Sequence, residues 1–267
     1  MDLIESVDDR GVATLTLNRP QRRNAFDAPL VNSLTEALHR LEAAADVRVI
    51  LLTGAGENFC AGGDIDWMRS AAVAPADENE RDAIALARMF GALAKSSKPT
   101  LAVVQGAAFG GGVGLVACCD IAIAAKSAKF CLSEVRLGLI PAVVGPYVVK
   151  AIGARRARAL MLSAEIVSAE QAFHIGLLQE IVPEGGLSAA RDRLIEALLL
   201  GAPGAQSEAK RLVSLCADHA IDASLIHETA RLLSQRRASA EGVAGLSGFL
   251  EKRPPDWREL GKRAHVR

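Results

Sequence analysis

The 267-residue chain has no excess charge of either sign, with 31 Lys and Arg against 31 Asp and Glu. It therefore lacks the basic footprint that nucleic acid or an anionic membrane surface selects, and neither is expected as a partner. No apolar run is long enough to cross a bilayer. The opening stretch, MDLIESVDDRGVATLTLN, is acidic and lacks the charged-then-apolar order of a signal peptide. Cysteine is sparse: Cys60, Cys118, Cys119, Cys131 and Cys216 form no CxxC pair and no His/Cys cluster at zinc spacing. No metal site is expected, and the odd, mostly apolar-flanked thiols read as buried free cysteines of a reducing cytoplasm. Low-complexity segments and exact repeats are also missing.

Apolar material is plentiful. Half of the residues are hydrophobic, enough for one large core or a core with a small appendage. Val12–Leu17 alternates and is β-branched, which predicts a strand. Leu30, Leu34, Leu38 and Leu41 recur at helical spacing within 29–44. Residues 47–53, 100–104 and 121–125 are short apolar runs that predict buried strands, and 66–96 has helix-forming composition with a weaker pattern. Strand–helix–strand alternation predicts an α/β fold with mainly parallel pairing. Ser168 with Gln171 predicts a capping box, Gly176 a helix end, and 180–182 a last short strand. Beyond Gly201-Ala202-Pro203 the chain reads as helix almost to Pro254, so the expected division is a core over 1–200 and a helical region over 201–267. The apolar faces of that tail would pack on the core or on another subunit.

Three segments carry candidate chemistry. Asn58–Ile65 (NFCAGGDI) and Gln105–Gly114 (QGAAFGGGVG) each follow a predicted strand, where ligands of open α/β sheets collect. Glycines let backbone approach a ligand, and amides opening a helix favour a negative oxygen. Two such loops, giving one N–H each, would form an oxyanion hole; read alone, glycines after strands more often form only tight turns. The second loop lacks both the Lys-Ser/Thr ending of a phosphate loop and dinucleotide spacing. The third segment is Lys129–Pro141 (KFCLSEVRLGLIP). If it starts extended, Phe130, Leu132 and Glu134 share a face, and an apolar setting would raise the Glu134 pKa toward the range of acid/base work. The alternative is an exposed Glu134 paired with Arg136 or Lys129.

Together these segments resemble the crotonase family, the enoyl-CoA hydratase/isomerase superfamily. Asn18–Phe26 (NRPQRRNAF) looks like its NRP…NA signature, and FCAGGDI, QGAAFGGGVGL and SEVRLGLIP follow in the family's order. The resemblance implies a spiral of β-β-α turns closed by a helical C-terminal region that builds trimers or dimers of trimers. It implies an acyl-CoA thioester as substrate, with no separate cofactor because coenzyme A is part of it. By resemblance, the Ala61 and Gly111 amides are the two oxyanion donors and Glu134 is the acid/base. Residues Ala61, Gly63, Asp64 and Ile65 would cradle the adenine and ribose. Ala25 also falls among the binding residues, Leu139 and Pro141 (with Gly138 and Ile140) would shape the acyl pocket, and Arg22 or Arg23 and Lys252 would reach the phosphates. Hydratases of the family usually carry a second glutamate; this chain has Gly114 there. His174 and Asp64 are the weak replacements, the first reading better as helix packing and the second as a loop cap. The run GGGVGLVACCDIAIAA…SEVRLGLIPAVVGPYVVKAIG is similar to bacterial methylglutaconyl-CoA and carboxygeranoyl-CoA hydratases. The implied activity is hydration of a 2-enoyl-CoA, the alternatives being a one-glutamate isomerase and a noncatalytic scaffold.

Overall fold

The computed structural model describes residues 1–253, 255 and 257. Strand β1 (Leu3–Val7) pairs antiparallel with β2 (Val12–Leu17). A 3₁₀ turn at Pro20–Arg22 leads to α1 (Ala28–Ala43), then β3 (Val49–Gly54), α2 (Ile65–Val73) and α3 (Ala76–Ala94). Next come β4 (Thr100–Val104), β5 (Ala107–Phe109), α4 (Gly111–Cys118), β6 (Ile121–Ala125) and β7 (Lys129–Cys131). A second 3₁₀ turn, Glu134–Leu137, precedes α5 (Gly145–Ile152), α6 (Ala154–Ser163), β8 (Val167–Ser168), α7 (Ala169–His174), β9 (Glu180–Val182) and α8 (Leu187–Leu199). The tail holds α9 (Pro203–Asp218), α10 (Ala223–Ala238) and α11 (Ala240–Leu250).

Two sheets result. The larger runs β1-β2-β3-β4-β6-β9, parallel throughout except at β1; the smaller runs β5-β7-β8. The expected α/β class with mainly parallel pairing is what the chain forms. Parallel strands covered by helices are apolar on both faces, and β4 is buried at all five positions. β1 escapes the sequence pattern because it is a mostly exposed edge strand.

The chain separates into two compact units, one of residues 1–96 with 100–195, the other of 97–99 with 196 onward. The first holds the core. Leu15, Leu17, Ile50 and Leu52 from the sheet meet Leu30, Leu34, Leu38 and Leu41 from α1, with Met89, Phe90 and Leu93 from α3. Only the last turns of α3 are buried, which explains its weak periodicity. Asp27 caps α1 by accepting from the Leu30 N–H (2.9 Å), and Pro29 stands in its first turn, where no intrahelical donor is needed. The Ser168–Gln171 capping box forms, and Gly176 turns at φ 89° just past α7. A cleft of about 310 Å³ lies among Thr14, Thr16, Thr53, Arg10 and Arg191. It contains none of the predicted site residues.

The tail corrects one expectation. It is not one nearly continuous helix, because Asp222 and Ser239 break it. Asp222 accepts from the Leu225 N–H (2.9 Å) and Ser239 Oγ from the Gly242 N–H (3.1 Å), so each starts a new helix. Apolar side chains remain exposed on these helices, among them Val213, Ile226, Val243, Phe249 and Leu250. The thiol expectation also needs correction. Cys60, Cys118 and Cys131 are buried, but Cys216 on α9 is exposed. Burial pushes the Cys60 thiol up to about 12. No helix among the described residues is long and apolar enough to cross a membrane.

Leu15 is fully buried at the centre of the sheet. Leu15→Ala is expected to lower unfolding free energy by about 2–5 kcal/mol, read as a shift in the urea midpoint.

Candidate active site

The site is built on a strained corner. Arg23 and Asn24 both adopt left-handed backbone (φ 52° and 56°), which non-glycine residues hold only when their surroundings compensate. Asn24 provides that compensation. Fully buried, it accepts from the Arg19 N–H (2.8 Å) and donates to the carbonyls of Ala55 (2.9 Å) and Asn58 (2.7 Å). The corner aims the Arg23 carbonyl at the Ala61 N–H, 3.0 Å away. The Ala61 amide, expected as the first oxyanion donor, is therefore already bonded. Two residues on, the pattern reverses. The Phe26 N–H donates to the Gly62 carbonyl and the Asp64 N–H to the Phe26 carbonyl, both at 2.7 Å. This parallel bridge brackets Gly63 and leaves its own N–H facing the other way. Among the described residues the Gly63 N–H has no partner, so the first available donor is Gly63, not Ala61.

The Gly111 amide opens a helix. Gly110 caps α4 at φ 49°, and Gly111 is the first helical residue, whose N–H has no partner inside the helix. A side chain at Gly111 would put its Cβ 2.7 Å from Phe26 Cε2, so glycine is required by packing. Phe26 in turn meets Phe90 edge-on, with ring centroids 6.2 Å apart.

Glu134 reaches this corner by a route the sequence did not suggest. β7 ends at Cys131, and Glu134 opens a 3₁₀ turn rather than extending the strand. Its Oε1 lies 3.1 Å from where a Cβ on Gly110 would stand, and Gly62 Cα is 3.9 Å from the same point. The carboxyl and the two glycine loops thus converge. Oε2 is buried with no hydrogen-bond partner, and no ion pair among the described residues involves Glu134. The alternative of an exposed, paired glutamate is set aside. Burial raises its pKa above the ordinary value.

Position 114 is closed. A Cβ on Gly114 would fall 2.3 Å from Val144 Cγ1 and 2.9 Å from Phe90 Cε1. Val144 and Phe90 are buried. The space where a second glutamate would start is filled by hydrocarbon. Val144 lies thirty residues downstream of Gly114, so no local spacing rule points to the pair. The one available sign is the glycine itself inside an apolar helix, which marks a close approach.

The other expected residues divide. Ala25 is buried, and its carbonyl accepts from Arg19 (2.6 Å). Ile65 is exposed beside Gly63. The Asp64 carboxylate caps α2 through the Asp66 N–H (2.9 Å) and bonds Arg19 (3.0 Å), in keeping with its reading as a loop cap. Arg22 is half exposed but ion-paired with Asp66 at 2.7 Å. Arg23 is exposed. Leu139 and Ile140 are exposed after the 3₁₀ turn, while Pro141 is buried. Lys252 stands in a left-handed turn of the second unit. His174 is exposed at the end of α7, its Nδ1 2.6 Å from the Glu170 carbonyl oxygen, and stays with its own helix.

Residues 8–261 match the family described as enoyl-CoA hydratase/isomerase. A solved structure of an enoyl-CoA hydratase from Shewanella pealeana superposes with a TM-score of 0.93 at 41% identity, covering 96% of both chains. The structure of Pseudomonas aeruginosa AtuE gives 0.91 at 34%, covering 97% of this chain and all of that one. Among curated proteins, the 1,2-epoxyphenylacetyl-CoA isomerase of Escherichia coli K12 is 35% identical over 263 residues, 96% of this chain and 98% of its own length.

Gly114→Ala is expected to destabilise the fold by about 1–3 kcal/mol through overpacking. Val144→Ala in the same chain should recover part of that loss, read as non-additive melting temperatures. For Glu134 the folded pKa exceeds the unfolded one, so the native state holds the proton longer. Its contribution to stability is full below the ordinary carboxylate pKa and is lost as pH rises through the raised value. Glu134→Gln should flatten that part of the urea-midpoint-against-pH curve.

Proposed function

On the premise that the chain belongs to the enoyl-CoA hydratase/isomerase family, we propose that it hydrates a 2-enoyl-CoA thioester through an enolate, with Glu134 as its only acid/base. The supporting observation is the half-buried Glu134 carboxyl, its Oε2 unpartnered, set against the two loops that leave the Gly63 and Gly111 amides unbonded. In this reading Glu134, as carboxylate, takes a proton from water while the water oxygen bonds to Cβ. The double-bond electrons move onto the thioester oxygen, where the two amides stabilise the charge; losing one such donor costs about 3–4 kcal/mol. Glu134 then returns the proton to Cα, the carbonyl reforms, and H and OH have been added. The coenzyme A portion, remote from the reacting bond, fixes the acyl group in place. Ile65, Leu139 and Ile140 are exposed and suited to line its path, and Arg22 would have to leave Asp66 to meet a phosphate.

A second reading is isomerisation of a 3-enoyl-CoA. Glu134 would take a proton from Cα and return it to Cγ, with no water consumed. The hydrocarbon at position 114 favours it, because no second polar group stands there to hold water. A 3-methylglutaconyl-type substrate is supported only by the sequence run around Gly114 and Glu134. The exposed apolar side chains of α9–α11 support self-association, with trimers or dimers of trimers the expected sizes by sedimentation.

The purified protein is mixed with a panel of 2-enoyl thioesters, a 3-methylglutaconyl thioester included, while the conjugated-thioester absorbance is followed. Loss of absorbance that vanishes in Glu134→Gln supports hydration. A gain of absorbance from 3-enoyl-CoA, without water incorporation, supports isomerisation. Coenzyme A binding with turnover of neither would overturn both and leave a scaffold.

A further inference from the structure

The Asn18–Phe26 signature contains an arginine that the proposed chemistry does not use. Arg19 is 9% exposed, yet its guanidinium contacts four oxygens from separate places. Nη2 lies 2.9 Å from the Asp27 carboxylate and 3.0 Å from that of Asp64. Nη1 donates to the Ala25 carbonyl at 2.6 Å, and Nε is 3.5 Å from the Asp2 carboxylate. Asp27 and Asp64 are the N-caps of α1 and α2, accepting from the Leu30 and Asp66 amides. One buried cation therefore ties the starts of two helices together.

Between those caps lies the backbone that carries the first oxyanion donor. Phe26, adjacent to Asp27, is bonded on both sides of Gly63, and Gly63 is adjacent to Asp64. The direction of the Gly63 N–H is fixed by where residues 25–27 and 62–64 sit relative to each other. Beside the two Phe26 bonds, the Ala61–Arg23 bond and the more exposed Arg22, which lies 3.8 Å from Asp64 and 2.7 Å from Asp66, the buried clamp at Arg19 holds them. We propose that Arg19 is a positioning residue: it sets the aim of the Gly63 amide by clamping Asp27, Asp64 and the Ala25 carbonyl, without touching substrate. This rests on the oxyanion reading above.

Geometry explains why arginine serves here. A planar guanidinium reaches three acceptors in fixed directions, whereas an ammonium is a point charge on a mobile stem. A misplaced donor weakens the transition state, where charge is greatest on the oxygen, far more than the ground-state complex. A loss in kcat with little change in ligand binding is the signature, and simple loosening of the fold would not produce it.

The experiment measures the thioester carbonyl stretch of a bound, unreactive conjugated acyl-CoA, together with kcat and Kd, for the wild type, Arg19→Lys and Asp27→Asn. Asn still caps a helix, so the second variant weakens the clamp while keeping α1 started. Expected is a downshifted carbonyl in the wild type, a smaller downshift in both variants, and a kcat lower by roughly tenfold or more with Kd changed by less than about threefold. Guanidinium ion added to an Arg19→Ala variant should recover part of the carbonyl shift. A wild type with no downshift would overturn the oxyanion reading itself. A normal wild-type downshift that persists in folded Arg19→Lys and Asp27→Asn, with kcat unchanged, would overturn the role of Arg19 alone.

Discussion

Backbone amides inside a folded protein are almost always bonded, and a site made of amides depends on denying two of them a partner. In this chain the denial is geometric. A parallel bridge to Phe26 uses the groups on either side of Gly63 and turns the Gly63 N–H outward. Gly111 escapes by a different route, as the first residue of a helix. Two nearby amides are spent: Ala61 bonds Arg23, and Gly110 bonds the Cys131 carbonyl at 2.8 Å. Between Ala61 and Gly63 the difference is one of backbone direction rather than residue type.

The same corner gathers the charges. One oxygen of the half-buried Glu134, Oε2, is out of contact with solvent and has no partner, while the more deeply buried Asp64 is satisfied by a cap and a guanidinium. One carboxyl is held back from ionisation and the other is committed to structure, although only Asp64 lies inside a glycine loop. The difference follows from access to donors. Asp64 starts a helix and faces Arg19, whereas Glu134 faces Gly110, which offers no side chain.

Much of the architecture was legible. The buried parallel strands appear as short apolar runs because they are covered on both faces, and α1 declares itself by its leucine spacing. The exposed edge strand β1 and the breaks at Asp222 and Ser239 were not, since an edge needs no apolar pattern and a single cap interrupts an otherwise helical composition. Of the proposed site, Gly111 and Glu134 were legible only through the family resemblance, since spacing alone left Glu134 open to an exposed, paired alternative. The choice between Ala61 and Gly63 was not, because it turns on the left-handed carbonyl of Arg23, some forty residues away in sequence. Val144 was invisible for the same reason: its role exists only where α4 and α5 touch.

That contact has a historical consequence. Exchanging Gly114 for a second carboxylate is not a neutral step in this chain. A larger residue at 114 would collide with Val144 while Val144 remains, and shrinking Val144 first would open a void in the core with nothing yet to fill it. Either order passes through a less stable protein. The number of carboxylates is in that sense buffered by packing.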